Sequence, residues 1–481
     1  MKNILFVSSE AVPFIKTGGL ADVVGSLPRY INKNEFDVRV ILPKYACMDK
    51  SFLPDLKFKC HFYVDLNWRK QYAGILETQY KGITFYFVDN EFYFAGASPY
   101  NNIYEDVEKF AYFSKAVLCA LPFLEYHPDV IHCNDWQTGL LPVFLHTSFG
   151  SDPFYSGIKT VFSIHNMKFQ GRWRIREVMD ITGLPKQIFN SNELEAYGEA
   201  NYLKGGIVYA DAVTTVSPTY AHDITTPEGG EGLDGLMFAR RNVLSGIING
   251  LDYEEYNPLT DPYIDYHFSE RDAVEGKRLN KKKFQENAQI AVDENALLIG
   301  IVSRLTDQKG FDLVAYVMDE MLSTMNVQLA VLGTGESRYE NMFHYFQNKY
   351  PDKVYAHIGY SEENAHQIYA SCDAFLMPSL FEPCGLSQLI SMRYGTVPIV
   401  RETGGLKDTV EPYNEYTQTG TGFSFRNYNA HDMLHVIRYA KQVFDNDGQS
   451  WKGIMERGMD MNFSWNASAG KYEELYNHLT E

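Results

Sequence analysis

The chain alternates between short apolar runs, rich in β-branched and aromatic residues, and amphipathic helical segments. In the first half the apolar runs are NILFVSS, DVRVILP, ITFYFVD, DVIHCND, TVFSIHN and DAVTTVSP. The clearest helical segment between them is EDVEKFAYFSKAVLCALPFL, where Phe110, Phe113 and Val117 recur with helical spacing. Near-continuous apolar strands that alternate with helices are typical of a parallel sheet covered by helices on both faces.

The alternation breaks once, in a segment that is typical of a crossover between domains. This segment, GIINGLDYEEYNPLTDP (246–262), is rich in Gly, Asn, Asp and Pro. The strand-like runs then restart as LLIGIVSRL, VQLAVLGTG, VYAHIGY, DAFLMPS and TVPIVRETGG. The sequence therefore predicts two Rossmann-like, doubly wound α/β domains over 1–244 and 245–460. Because such sheets bind ligands beyond the carboxyl ends of their strands, we expect the site in the cleft between the domains.

Charge and cysteine usage limit the partners of the chain. The 43 Lys+Arg and 61 Asp+Glu give a net charge of -18, which disfavours nucleic acid and anionic membranes but permits a small anion held by a local basic cluster. The six cysteines are scattered without a C-x-x-C pair, which indicates free thiols and a cytoplasmic protein. The first apolar run is too short for a signal peptide, and no run approaches the ~20 residues of a membrane span.

A glycine turn, KTGGLADV, follows the first predicted strand and precedes a helix. Gly18 and Gly19 allow a ligand close to the backbone, and a helix start adds partial positive charge that suits phosphate. Lys16 supplies a full charge, and Asp22 orients the loop or a sugar hydroxyl. The alternative is a plain turn with a solvated lysine. A second Thr-Gly-Gly-Leu-x-Asp, at 403–408, lies near the other terminus.

SRLTDQKG, at the end of the first strand of the second half, carries two cations in one short loop. The Arg304 guanidinium can fork onto two oxygens, and the Lys309 ammonium acts as a point charge. Together they can neutralise a diphosphate. The alternative is a pair of exposed loop charges.

EPCGLSQL is the most specific motif. Glu382 precedes a proline and is therefore biased to an extended backbone. Gly385, Leu386 and Ser387 then open a helix, so their amides are available to an anion. A carboxylate beside an anion site suits a sugar, which offers hydroxyls and passes through a cationic transition state. A merely capped helix is the alternative.

Polar residues also end two strands of the first half. His165 and Asn166 follow FSI, and Asp135 and Trp136 follow VIHCN. Side chains in such positions often line the site of an α/β sheet. Trp136 can stack on a sugar or cover a loop.

Two further patterns favour simpler interpretations. GTGES at Gly333 lacks the third glycine of a dinucleotide fingerprint, and Asp-Asn-Asp at 445–447 is better explained as a surface turn than as a metal site. The sequence therefore predicts neither a metal nor a cofactor.

KTGGLADV, NDWQTG, IHNMKFQG, EGLDG, INGLD, SRLTDQKG, EPCGLSQL and ETGGLKDTV occur in this order over essentially the whole chain. This ordered set resembles the bacterial glycogen synthase and plant starch synthase family, glycosyltransferase family 5. The resemblance implies the B-type glycosyltransferase fold, with 461–481 crossing back onto the N-terminal domain. It also implies metal-independent, retaining transfer of glucose from ADP-glucose to the 4-hydroxyl at the non-reducing end of an α-1,4-glucan.

The resemblance assigns roles residue by residue. The catalytic residues would be Glu382, His165, Lys309 and Arg304. The donor would be bound by Lys16, Gly18, Gly19, Asp22, Asn249, Arg304, Lys309, Tyr360, Cys384, Gly385, Leu386 and Ser387. The acceptor would meet Asp135, Trp136 and Asn166.

The chain departs from the family pattern at several positions on the predicted acceptor side. Asn134 stands where the family pattern has His, and Phe169 where it has Tyr. Val107 and Lys109 replace an Asn and an Arg, and Thr225 occupies a glutamine position. These departures bear on acceptor preference more than on donor chemistry.

Two other functions stay open at this point. One is a transferase of the same fold that uses UDP-glucose or another nucleotide sugar. The other is a catalytically silent glucan-binding protein, against which the presence of Lys16, Arg304, Lys309 and Glu382 argues.

Overall fold

The computed structural model describes residues 1–481, which divide into two compact units. Unit 1 comprises Met1–Gly250 and Trp465–Glu481, and unit 2 comprises Leu251–Ser464. The predicted domain boundaries, at 244/245 and 460/461, stay predictions. The compact units change over at 250/251 and 464/465.

Unit 1 contains twelve strands and, before the crossover, eight α-helices. The strands are β1 (Lys2–Val7), β2 (Phe36–Pro43), β3 (Lys57–Leu66), β4 (Arg69–Tyr80), β5 (Ile83–Asp89), β6 (Val130–Asn134), β7 (Lys159–Ile164), β8 (Arg172–Arg174), β9 (Glu195–Ala196), β10 (Glu199–Asn201), β11 (Ala212–Thr215) and β12 (Leu244–Gly246). The helices are α1 (Gly19–Tyr30), α2 (Glu91–Phe94), α3 (Ile103–Ala120), α4 (Leu140–Thr147), α5 (Ile175–Thr182), α6 (Tyr202–Tyr209), α7 (Pro218–Asp223) and α8 (Asp234–Ala239). Short 3-10 turns cover Lys50–Asp55, Leu121–Leu124, Trp136–Thr138, Pro153–Tyr155, Lys186–Ile188 and Arg241–Val243.

The main sheet of unit 1 has nine strands in the order β12-β11-β7-β6-β1-β2-β5-β4-β3. The strands from β12 to β5 pair in parallel, and β4 and β3 add an antiparallel hairpin at one edge. The central strands are buried because they carry apolar residues on both faces; β6 is buried throughout. A second, three-stranded antiparallel sheet has the order β8-β10-β9.

Unit 2 has a single six-stranded sheet, entirely parallel, in the order β15-β14-β13-β16-β17-β18. Its strands are β13 (Leu297–Val302), β14 (Val327–Gly333), β15 (Val354–Ile358), β16 (Ala374–Met377), β17 (Val397–Arg401) and β18 (Phe423–Phe425). Its helices are α9 (Ala273–Ala288), α10 (Phe311–Thr324), α11 (Ser337–Lys349), α12 (Glu362–Ser371), α13 (Ser387–Arg393), α14 (Gly404–Thr409), α15 (Ala430–Asn446) and α16 (Gly448–Asp460), with a 3-10 turn at Asp307–Lys309.

The last helix, α17 (Trp465–Leu479), returns to unit 1. Tyr476 on this helix is fully buried, and its hydroxyl lies 2.6 Å from Nδ1 of His132 on β6. Gly250 allows the close approach, because a Cβ there would lie 2.5 Å from the Trp465 Cα. The C-terminal segment is therefore part of the unit 1 core.

None of the helices is both long enough and apolar enough to cross a membrane.

Candidate active site

The strand orders place one switch point in each unit. If the parallel strands are numbered along the chain within each unit, the sheet of unit 2 runs 3-2-1-4-5-6. That of unit 1 runs 3-2-1-4-5-6-7 (β5-β2-β1-β6-β7-β11-β12). This is the order in which ligands bind beside the first and fourth strands, at their carboxyl ends. Ligand-binding loops are therefore expected after β1 and β6 in unit 1, and after β13 and β16 in unit 2.

The loop after β13 carries Arg304 and Lys309. Arg304 is exposed. The loop is fixed to the one after β16, since Leu380 N donates to Gln308 O at 2.9 Å. Gly310 completes the turn at φ 74°, and a Cβ there would lie 2.1 Å from the Pro378 carbonyl oxygen. Only glycine fits this conformation and this approach, which set the position of Lys309.

Glu382, in the loop after β16, meets Lys309 across the switch point. Lys309 Nζ lies 2.6 Å from Glu382 Oε2, and the Ser379 hydroxyl donates to the same oxygen at 3.0 Å. The carboxyl group is largely buried, and Oε1 has neither a protein partner nor full burial. A carboxylate held by one oxygen can use the other to accept a hydrogen bond from a ligand.

The second Thr-Gly-Gly turn supports the backbone of the Glu382 loop. Gly404 has φ 45°, and a Cβ there would lie 2.0 Å from the Glu382 carbonyl oxygen. A Cβ on Gly405 would lie 2.2 Å from the Cys384 carbonyl oxygen, and Gly405 N donates to the Glu382 carbonyl at 3.1 Å. The turn follows β17, the fifth strand of its unit, whereas the first Thr-Gly-Gly turn follows the first strand. The two turns therefore occupy different places in the strand orders of their sheets.

The remaining predicted donor residues of this loop lie directly after Glu382. Cys384 is buried, and Gly385 has φ 74°. The Gln388 side-chain amide donates to the carbonyls of Cys384 and Gly385, at 3.0 and 2.9 Å, and fixes both. Ser387 is the first residue of α13, with Leu386 before it.

Tyr360 and the GTG sequence belong to neighbouring loops of unit 2. The Tyr360 ring is 78% exposed, so a flat ligand could stack on it. Gly333 and Gly335 serve packing, because a Cβ at either would lie within 2.4 Å of the carbonyl oxygens of Ser303 and Leu305 respectively. The two glycines thus allow the Arg304 loop to pack against the loop after β14. This packing role explains why the GTG sequence occurs without a dinucleotide fingerprint.

In unit 1, the loop after β1 is organised around Glu10, which sequence reasoning missed. Thr17 N and Thr17 Oγ1 donate to its carboxylate at 2.5 and 2.9 Å, and the Tyr100 hydroxyl donates at 2.9 Å. Burial raises the pKa of Glu10, while these bonds and one from Gly18 N oppose the rise. The backbone amides of Thr17 and Gly18 therefore both bond to the Glu10 carboxylate.

Lys16 and Gly18 form the outer surface of this turn. Lys16 Nζ pairs with Asp22 Oδ1 at 2.7 Å, and both side chains are partly exposed. Gly18 is extended, and a Cβ there would meet nothing within 4 Å. Gly19 begins α1. Lys16, Gly18, Gly19 and Asp22 thus lie together, in the turn after β1 and the first residues of α1.

Asp135 follows β6, the fourth strand, in an unusual conformation. Its φ of 56° and ψ of 179° are sparsely populated for any residue with a Cβ. His165 N donates to its Oδ1 at 2.7 Å. Burial, opposed by the amides of His165 and Asn166 and aided by the negative charge of Glu10, raises the Asp135 pKa to about 7. Strain and a displaced pKa together mark a functional position.

The His165 ring is bonded to Asn134, the residue before Asp135. His165 Nε2 lies 3.0 Å from Asn134 Oδ1. Burial lowers the pKa of His165 to about 4, so the imidazole is neutral near pH 7.

Trp136 is mostly a packing residue. Its exposed fraction is 7%, and its ring packs edge-on against Phe110 with centroids 5.3 Å apart. Gly171, at φ 63°, lies on the ring so closely that a Cβ would be 2.1 Å from it. The ring therefore has no open face on which a sugar could stack.

Asn166 and Asn249 complete the predicted set in unit 1. Asn166 is partly exposed and accepts a hydrogen bond from Lys168 N at 3.0 Å. Phe169, beside it, is 50% exposed and is an additional surface aromatic. Asn249 is buried, with no partner for Oδ1. An unsatisfied buried amide oxygen is costly, and a hydroxyl ligand would remove the cost.

The predicted site residues are therefore divided between the two units. The first contains Lys16, Gly18, Gly19, Asp22, Asp135, Trp136, His165, Asn166 and Asn249, and the second contains Arg304, Lys309, Tyr360, Glu382, Cys384, Gly385, Leu386 and Ser387. Sequence reasoning missed Glu10, Tyr100 and Ser379. None of the three gave a usable signal, because a carboxylate or hydroxyl that bonds within its own loop looks like any other in sequence.

Comparisons with known proteins bear on the family and the fold of the chain. Residues 3–239 match the family model of the starch synthase catalytic domain, and residues 282–442 match that of glycosyl transferases group 1. The chain is 62% identical over 479 residues to the glycogen synthase of Lachnospira eligens, with 100% of each chain covered. It is 48% identical over 477 residues to that of Anoxybacillus flavithermus, covering 99% of this chain and 98% of the relative.

A solved structure, the catalytic domain of starch synthase IV from Arabidopsis thaliana bound to ADP and acarbose, superposes with a TM-score of 0.92 at 30% identity. The match covers 100% of this chain and 99% of that one. The predicted fold class, two Rossmann-like α/β units of the B-type glycosyltransferase fold, is confirmed. The chain belongs to the glycogen and starch synthase family of glycosyltransferases.

Proposed function

We propose that the chain transfers glucose from ADP-glucose to the 4-hydroxyl at the non-reducing end of an α-1,4-glucan, with retention at the anomeric carbon. The observation that carries the proposal is the Lys309–Glu382 pair, 2.6 Å apart at the switch point of unit 2, with the Arg304 guanidinium exposed in the same loop as Lys309. Few ligands need both cations and a carboxylate with one oxygen available for a hydrogen bond. A sugar attached to a diphosphate does.

The diphosphate is assigned to Arg304 and Lys309. A guanidinium binds two phosphate oxygens through parallel hydrogen bonds, and an ammonium adds a point charge. These groups neutralise the leaving nucleoside diphosphate, so the proposal needs no metal. The amides of Leu386 and Ser387 and the backbone of Cys384 and Gly385 complete this set.

The choice of ADP rests on two supports. The Arabidopsis starch synthase that superposes on this chain is described as bound to ADP. In this chain the largely exposed Tyr360 ring offers a stacking surface for a purine.

Unit 1 contributes the remaining contacts in this proposal. Lys16 and Asp22 act on the nucleotide sugar, and His165 and Asn249 on its glucose. The acceptor glucan is assigned to Asp135, Trp136 and Asn166. Asn249 Oδ1, buried without a partner, suits a glucose hydroxyl.

The transfer proceeds on one face of the sugar. The bond between the anomeric carbon and the phosphate oxygen breaks as the bond to the acceptor O4 forms. The acceptor proton passes to the departing phosphate, and ADP leaves. The transition state resembles an oxocarbenium ion, which the Glu382 carboxylate stabilises while Arg304 and Lys309 stabilise the developing phosphate charge.

We also assign the reaction to the cytoplasm. All six cysteines are free, and three of them, Cys133, Cys372 and Cys384, are buried. Free thiols in a chain of this size suit a reducing compartment.

The test is nucleotide release by the purified chain with glycogen and either ADP-glucose or UDP-glucose. Glu382→Ala and Lys16→Ala are compared with matched surface variants, Glu286→Ala and Lys186→Ala, since Glu286 and Lys186 are exposed. We expect ADP release with glucan growth in the parent and both surface variants, and a loss of about 100-fold or more in Glu382→Ala. Equal loss in the surface variants, or release of UDP alone, would contradict the proposal.

A further inference from the structure

The orientation of the Asn134 amide is fixed by its own hydrogen bonds. Nδ2 donates to the Val7 carbonyl at 3.1 Å and to the His132 carbonyl at 3.3 Å. Both partners are acceptors only, so exchanging the amide oxygen and nitrogen would bring oxygen against oxygen. Asn134 is fully buried, and no water-facing alternative exists for either group. Its Oδ1 therefore points an acceptor at His165.

The fixed amide decides which nitrogen of His165 carries the proton. Because Asn134 Oδ1 can only accept, Nε2 of His165 must donate across the 3.0 Å that separate them. A neutral imidazole has one N–H, so Nδ1 is left with a lone pair. Nδ1 has no protein partner, and it is not among the fully buried atoms that lack one. It is thus accessible to a ligand.

We infer that Asn134 is a positioning residue that holds His165 as the Nε2–H tautomer, so that Nδ1 accepts a hydrogen bond from a sugar hydroxyl. The hydroxyl part of this inference rests on the proposed function, whereas the tautomer does not. A neutral acceptor suits a cationic transition state, which an imidazolium would repel. Asn achieves this, whereas an Asp at the same position would favour the protonated ring.

Four other ionisable groups lie in or next to the surroundings of the His165 ring: Asp135, Glu10, His132 and Tyr220. Asp135 accepts a hydrogen bond from His165 N, and Glu10 acts on Asp135 through its charge. The His132 ring is neutral, because burial lowers its pKa to about 3. The Tyr220 hydroxyl oxygen accepts a hydrogen bond from Met167 N at 3.0 Å.

The first test reads the tautomer of the parent protein directly. The full chain is labelled with 15N in its histidines, and a long-range 1H–15N spectrum is recorded at pH 7.5. His165 is identified by the signal missing from His165→Gln. We expect a protonated Nε2 and an unprotonated Nδ1. A proton on Nδ1 would overturn the inference whatever the enzyme's donor is, since this measurement needs no turnover.

The second test changes only the charge at position 134. In Asn134→Asp we expect His165 to titrate about one to three pH units higher than in the parent. The kcat/KM of this variant should then fall by up to about tenfold more than the parent's between pH 8 and pH 6, with the loss mainly in kcat. Asn34→Asp, the same substitution at an exposed site, should follow the parent. An unchanged His165 titration in Asn134→Asp would overturn the inference; if that variant does not fold, the parent spectrum still decides.

Discussion

The two Thr-Gly-Gly turns have the same sequence but different structural roles. In the first, Glu10 holds Thr17 by its amide and hydroxyl, and Gly18 lies against open space. In the second, Gly404 and Gly405 pack against the carbonyls of the Glu382 loop. The first turn follows the first strand of its sheet and the second follows the fifth strand. The comparison shows that a motif takes its role from its place in the strand order.

The largest effect on activity is expected at Glu382, whose loop is packed against the second turn. Glu382→Gln removes the charge that, in the proposed reaction, stabilises a cationic transition state, but it keeps the shape of the side chain. We expect kcat to fall about 100- to 1,000-fold, with a smaller change in KM for ADP-glucose, in steady-state assays. Glu286→Gln is the control. A loss of less than about tenfold would show that the second turn supports something other than catalysis.

The next effect separates the glycines of the two turns. Gly404→Ala places a Cβ 2.0 Å from a backbone oxygen at a left-handed φ, so we expect the free energy of unfolding to fall by about 3 kcal/mol. Gly18→Ala meets neither a steric clash nor a left-handed φ, so it should change the free energy of unfolding by less than about 1 kcal/mol. Chemical denaturation of both variants measures the difference. Equal losses would remove the distinction between the turns.

These two predictions also show what the sequence could and could not supply. The alternation of apolar runs and helices gave both doubly wound units, because burial on two faces leaves a clear pattern. Lys309 and Glu382 were found because glycine and proline mark their loops. Glu10 was missed, since a carboxylate that binds backbone amides looks like any other in sequence. The low exposure of Trp136 depends on Gly171, 35 positions away, and so requires the tertiary structure.

A third prediction concerns pH and the first turn's neighbour, Asp135. Its pKa is raised to about 7 in the folded protein, so the folded state holds the proton more tightly than the unfolded chain. Stability is therefore lost as pH rises from about 4 towards 7. Between pH 5 and pH 8 we expect the parent to lose about 2 kcal/mol more than Asp135→Asn does, by denaturant titration at each pH. Parallel pH profiles for the two proteins would contradict the raised pKa.

The smallest effect is expected at the ion pair on the first turn. Lys16 and Asp22 are partly exposed, so their attraction is weakened by solvent. Asp22→Asn should change the free energy of unfolding by less than about 0.5 kcal/mol while altering KM for the donor. A large loss of stability would show that this ion pair has a structural role. The first turn would then resemble the second, which supports the backbone around it.

The central claim, that the loops of unit 2 select and cleave ADP-glucose, is tested most directly by competition. Equal amounts of 13C-labelled ADP-glucose and unlabelled UDP-glucose are offered together with a maltooligosaccharide, and the extended products are weighed by mass spectrometry. The account predicts that labelled glucose exceeds unlabelled glucose in the products by about tenfold or more. Products that carry mainly unlabelled glucose would contradict it.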